Sequence, residues 1–155
     1  MPAPPEPLAA RLQALEDREA IRDIIARYGP AADSGDSDGV AALFDEAGVY
    51  AVGGMGESCG RVAIAALIHG PVHQQLMADG CAHLLGPVAI DLAGATATAR
   101  GLSLVFRWNG SNWDTVRASA NRWHLARSDT GWAVTRRDNA LLDGNEVARA
   151  LLGAG

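Results

Sequence analysis

From Cys81 to Ala140 apolar and polar residues alternate with a period of two, so about a third of this 155-residue chain is committed to strands there. The stretches Cys81 to Leu92, Thr96 to Trp108, Trp113 to Arg127 and Trp132 to Ala140 read as strands parted by turn residues. Asn109-Gly110 is a strong short hairpin signal, because both central residues of such a turn need positive φ. It predicts Phe106 opposite Trp113 and Leu104 opposite Thr115. Ser128-Asp129-Thr130-Gly131 closes the next hairpin. Extending that register puts Leu102, Leu104, Phe106, Trp113, Asn121, Trp123, Leu125, Val134 and Arg136 on one face. The other face holds mostly small residues with Arg122, His124 and Arg137. The aromatic-rich face is the side expected to curl over a pocket, with Phe106 and Trp123 giving shape and Asn121 polarity; plain sheet packing is the competing reading of these residues.

Ahead of the strands the period is helical. Ile21, Ile24, Ile25 and Tyr28 recur at i, i+3, i+4 and i+7, with Arg18, Glu19, Asp23 and Arg27 on the remaining surface, so a helix from about Leu15 to Asp33 lies on a core. Pro30 predicts a kink or an end near Gly29. Asp36 to Asp38 are N-cap residues for a short second helix. Val49 to Val52 reads as a strand, Gly53 to Gly60 as a flexible loop, and Val62 onward as a third helix continuing past Gly70-Pro71 to about Ala78. Asp143 with Glu146 resembles a capping box opening a last helix through Leu151. Helices first and strands afterwards make an α+β domain with helices on one sheet face. One domain over residues 12–152, preceded by a flexible tail over residues 1–11, is expected.

Composition removes several function classes. The net charge is −5 with no basic block, so nothing answers to nucleic-acid phosphates. All 13 basic residues are Arg, which leaves no lysine amine for a Schiff base or a phosphate-binding loop. Cys59 and Cys81 are too few for a disulfide framework or zinc site. His69 and His73 have helical metal-pair spacing, but Gly70-Pro71 lies between them and no third ligand follows, so no metal is expected. No apolar run reaches membrane-spanning length, and the Pro-rich start lacks a leader pattern. A soluble, cytoplasmic protein is the expectation. Tyr28 and Tyr50 could each donate a hydrogen bond to a substrate oxygen or serve only as core aromatics.

Several short segments in order resemble the SnoaL-like branch of the nuclear transport factor 2-like superfamily. They are Leu15-Glu16-Asp17-Arg18-Glu19-Ala20-Ile21, Arg27-Tyr28, Asp33-Ser34-Gly35-Asp36, Leu43-Phe44, Gly60-Arg61 with Ala63-Ile64, His83-Leu84-Leu85-Gly86, and Gly131-Trp132. The resemblance runs roughly from Leu12 to Asn139. It implies a cone-shaped α+β barrel in which a strongly bent mixed sheet wraps a long helix around an internal cavity. It also implies a homodimer and no cofactor. In dehydratase and dehydrohalogenase members an Asp at the end of the first long helix orients a strand His that removes a substrate proton, and Asp33 and His83 match those positions. An imidazole suits that task because its ordinary pKa is near ~6.5 and a neighbouring carboxylate fixes its tautomer. The resemblance thus implies a cofactor-independent lyase or isomerase acting on a small, largely apolar molecule. A binding or assembly module of the same fold is the alternative.

Overall fold

A computed structural model describes residues 6–153. Helix α1 (Leu8–Ser34) is longer than its apolar stripe, beginning where a flexible tail is expected over residues 1–11 and running through Pro30. Residues 1–5 of that tail lie outside the described residues. Pro30 does not end the helix because it sits on the exposed side, where the Ala26 carbonyl it leaves without a donor is open to water. Gly35 closes the helix in the left-handed region at φ 73°, and the Asp36 N–H returns to the Ala31 carbonyl at 2.9 Å. This continuation brings Asp33 one turn beyond Gly29, on the side facing the sheet.

Helix α2 (Ser37–Ala42) is capped by Asp36, whose Oδ1 accepts from the Gly39 N–H at 2.8 Å. Strand β1 (Phe44–Val52) turns back as β2 (Gly56–Cys59), so the segment expected to be a flexible loop is a hairpin. The expected single helix after it is two, α3 (Arg61–His69) and α4 (Pro71–Asp79), because Gly70 is extended and Pro71 begins a new first turn. Gly86-Pro87 likewise splits the expected strand into β3 (Cys81–Leu85) and β4 (Ala89–Ala93). The long strands β5 (Thr96–Trp108), β6 (Trp113–Ser128) and β7 (Gly131–Leu141) follow. Helix α5 (Glu146–Leu152) is capped by Asn145, not Asp143, through a bond from the Val147 N–H to its Oδ1 at 2.9 Å.

The sheet order is β2-β1-β7-β6-β5-β3, with β4 also on β5. All pairs are antiparallel except β1 with β7, so the sheet is mixed, curved and open. Helices α1, α3 and α4 lie on its concave side around a core of Ile21, Ile25, Phe44, Ile64, Trp123 and Val134. Helix α5 covers part of the convex side, its last carbonyls held by Arg122. Asp17 pins α1 to the sheet, accepting from Arg127, from Trp132 Nε1 and from Gln13. Burial works against its ionisation, but those hydrogen bonds and the Arg127 charge outweigh it and hold the carboxyl below its usual range.

The hairpin register differs from expectation, and this decides which side chains face inward. Asn109 does not take positive φ; its side-chain oxygen accepts from the Ser111 and Asn112 N–H groups, so the turn spans four residues and Trp108 meets Trp113. A bulge beside Val105 then shifts the ladder again. Together these send Leu102, Leu104 and Phe106 to the convex face and bring Ser103 and Val105 inward. A second bulge between His124 and Leu125, where the Thr135 hydroxyl donates to the His124 carbonyl at 3.1 Å, turns Arg137 inward and Arg136 outward.

Gly29 marks the tightest approach of α1 to β3. A Cβ there would stand 2.3 Å from the His83 carbonyl oxygen. Gly29→Ala must push the helix off the strand, and thermal unfolding is expected to show a loss of roughly 1–3 kcal/mol. An unchanged melting temperature would show that the two elements are free to part.

Candidate active site

Asp33 leaves the end of α1 and His83 the middle of β3, and the two meet. His83 Nδ1 lies 2.6 Å from Asp33 Oδ1, and the His83 backbone N–H donates to Asp33 Oδ2 at 2.8 Å. The carboxylate therefore grips both ring and backbone of the histidine, fixing the Nδ1–H tautomer and leaving Nε2 with its lone pair. The Cys81 thiol, two residues earlier on the same strand face, donates to Asp33 Oδ1 at 3.4 Å. Burial, then that hydrogen bond and the carboxylate charge, push the thiol up to about 11, so it stays protonated and serves as a donor. The ligand atoms of Asp33, Cys81 and His83 lie within 4.8 Å of one another, which is metal-trio spacing. The chemistry argues against an ion: binding would have to strip a proton from that thiol and from Nδ1, while the three groups already satisfy one another.

His83 lines a cavity of about 150 Å³ between the concave sheet face and helices α1, α3 and α4. Its apolar walls include Met55 from the β1–β2 turn, Leu67 and Ile68 from α3, Val72 and Leu76 from α4, and Val105 from β5. Tyr28 and Tyr50 also line it, set edge to face with ring centres 6.1 Å apart. Burial and the neighbouring Tyr50 raise the Tyr28 phenol well above its usual value, so it remains a donor. Burial lowers the His83 pKa; Asp33 opposes this, while His73 and Arg137 add to the lowering. The ring is consequently neutral at neutral pH.

The remaining expected residues divide. Trp123 and Asn121 do face inward, yet they lie one layer beneath the cavity wall rather than in it. Phe106 is turned to the convex face by the turn and bulge described above, and takes no part. What Asn121 and Trp123 support is Arg137, which only 2% exposure leaves almost wholly buried. Its guanidinium carbon lies 4.1 Å from the ring centres of Tyr28 and Trp123 and 4.5 Å from that of Tyr50. Its Nε and Nη2 donate to Asn121 Oδ1 at 3.0 and 2.8 Å, and Asn121 in turn donates to the Ser103 hydroxyl at 2.8 Å. Beside it Arg117 donates to Asn139 Oδ1, Ser119 Oγ and the Gly53 carbonyl.

His73 also reaches the cavity, its ring centre 5.6 Å from that of His83 and its Nε2 2.8 Å from the Ala32 carbonyl. The break at Gly70 separates it from His69, which closes α3 beside a different surface hollow. Arg137 and His73 are thus site residues that pattern reading passes over. Arg137 is hidden by the bulge at Thr135, which no residue type announces, and His73 by a helix break that its metal-like spacing obscures.

Comparison with known proteins agrees with this fold. A family model described as SnoaL-like domain matches residues 13–138. A nuclear transport factor 2-like protein with a cystatin-like fold from Novosphingobium aromaticivorans is 56% identical, with 95% of this chain and 96% of that chain covered and a TM-score of 0.93. A protein of the same organism provisionally described as an aromatic ring hydroxylase is 26% identical over 83% of this chain and 90% of that one, TM-score 0.67. Another, provisionally described as a scytalone dehydratase, shares the fold at 18% identity over 83% and 85%, TM-score 0.70. No curated protein matches the chain significantly. Among the described residues no helix is long and apolar enough to cross a membrane.

Proposed function

Since the chain belongs to the SnoaL-like domain family, whose members include isomerases and dehydratases, we propose that it is an acid–base enzyme in which His83 moves a proton on a small, ring-sized organic substrate. The observation that carries this reading is the 2.6 Å contact between His83 Nδ1 and Asp33 at the wall of an apolar cavity. In the proposed reaction Nε2 takes a proton from a substrate carbon, and the electron pair moves into an adjacent carbonyl or expels a neighbouring hydroxyl. Asp33 stabilises the imidazolium so formed. The same Nε2–H then returns the proton to another carbon, completing an isomerisation, or to the departing oxygen, completing loss of water. Tyr28 and Tyr50 stand as donors to the substrate oxygen. A cavity of about 150 Å³ is the size that accepts one six-membered ring.

Deuterium exchange tests this without knowledge of the natural substrate. Monocyclic ketones and keto acids incubated with the protein in D₂O are expected to lose α-proton NMR signals with the wild type and not with His83→Ala. Exchange of equal rate in the variant would remove His83 from the reaction; tight binding with no exchange would mark the protein as a binding module instead. Because burial depresses the His83 pKa, the acid limb of the rate profile is expected below ~6.5. Between the depressed native value and the unfolded value near ~6.5 the unfolded chain takes up a proton that the native ring declines, so acid favours unfolding there. This contribution is intact above pH ~6.5 and erodes as the pH falls through that window.

A further inference from the structure

We propose that the cavity's ligand is a monocyclic carboxylic acid, seated by its carboxylate on Nη1 of Arg137. This deepens the active-site reading above and rests on it only in taking the cavity as the ligand site. Arg137 is 2% exposed, and its Nη1 has no hydrogen-bond partner, whereas Nε and Nη2 are both taken by Asn121. A buried guanidinium donor left unpaired is costly, and the usual remedy is a carboxylate. The chain provides none: the described residues lining the cavity include Arg117 and Arg137 but no Asp or Glu. Arg117 is only half-buried, and its Nε and Nη2 already donate to Ser119, Asn139 and the Gly53 carbonyl.

Three aromatic faces hold the Arg137 guanidinium without neutralising it. Asn121 aims it while contributing an amide oxygen, not a charge. A site that carries fixed positive charge in an apolar chamber draws anions and discriminates against neutral ligands of the same shape. The Tyr28 ring touches both Arg137 and His83, with its centre 6.3 Å from that of the imidazole, so a ring acid held on Arg137 extends towards the proton-accepting histidine. The walls between them are apolar, which fits the ring, and the size admits one ring and not two.

Calorimetric titration with benzoate, benzamide and toluene reads this directly. The wild type is expected to bind benzoate about tenfold or more tightly than either neutral ring, the margin that a charge-assisted hydrogen bond supports. Arg137→Met should abolish the preference; since that change also strips a buried stack, Asn121→Asp provides a second reading. It keeps Arg137 in place and sets a carboxylate against it, so the preference should collapse in a folded protein. A benzoate preference in a wild type that catalyses no deuterium exchange would support this subsite and remove only the proton chemistry. No benzoate binding by the wild type, equal affinities for the three rings, or a preference that survives Asn121→Asp each overturns the proposal.

Discussion

Asp33→Asn is expected to slow His83-dependent proton exchange by about 10²–10⁴-fold while leaving the protein folded. The size of the effect comes from the tautomer. Asp33 accepts from His83 Nδ1 and from the His83 backbone N–H, one oxygen to each. An amide at the same place keeps one acceptor for the backbone N–H and turns its NH₂ towards Nδ1. That forces the ring proton onto Nε2, so the atom facing the cavity becomes a donor and can no longer accept. Nitrogen-15 shifts of the His83 ring should record the swap directly, which a merely structural role for Asp33 would not produce. Exchange within a few-fold of the wild type, with the tautomer unchanged, would refute the pairing.

Trp123→Ala is expected to cost about 3–5 kcal/mol, on the order of 10 °C in melting temperature. Trp123 is 1% exposed and packs edge to face on Tyr28 at 6.2 Å, so its removal opens a hole at the centre of the core. It also takes away one of the rings under the Arg137 guanidinium. Trp123→Phe keeps an aromatic face at that point and should recover more than half of the loss. A cost under ~1 kcal/mol for the alanine variant, measured by denaturant titration, would show that the stack contributes little.

The two halves of the site differed in how readable they were. Asp33 and His83 stand in segments whose order resembles a known family, and the structure joins them because α1 runs unbroken past Pro30. Nothing in periodicity alone required that continuation. The sheet was legible as strands but not as faces. Side chains alternate with a period of two, so one extra residue exchanges the two sides. Asn109 spends its side chain on capping the turn, and Val116 and Thr135 sit in bulges; each moves the ladder by steps too small to alter any apolar pattern. Phe106 was lost from the cavity that way, and Arg137 gained. The α3 to α4 break falls at Gly70-Pro71, where a reading of one continuous helix gave the apolar pattern more weight than the preference of proline for opening helices over continuing them.

The parallel pairing of β1 with β7 sets Tyr50 beside Arg137 and Val52 beside Asn139, joining residues near the start of the sheet to residues near its end. During synthesis, then, everything from β1 through β7 must leave the ribosome before β1 gains its inner neighbour. Contacts so distant in sequence make for slow folding, on the order of milliseconds to seconds. Until β7 docks, the inner edge of β1 is bare, a surface on which nascent chains can pair wrongly. The guanidinium, the last charged group to enter the cavity, arrives with the strand that covers that edge, so recognition and protection from misassembly are completed in the same event.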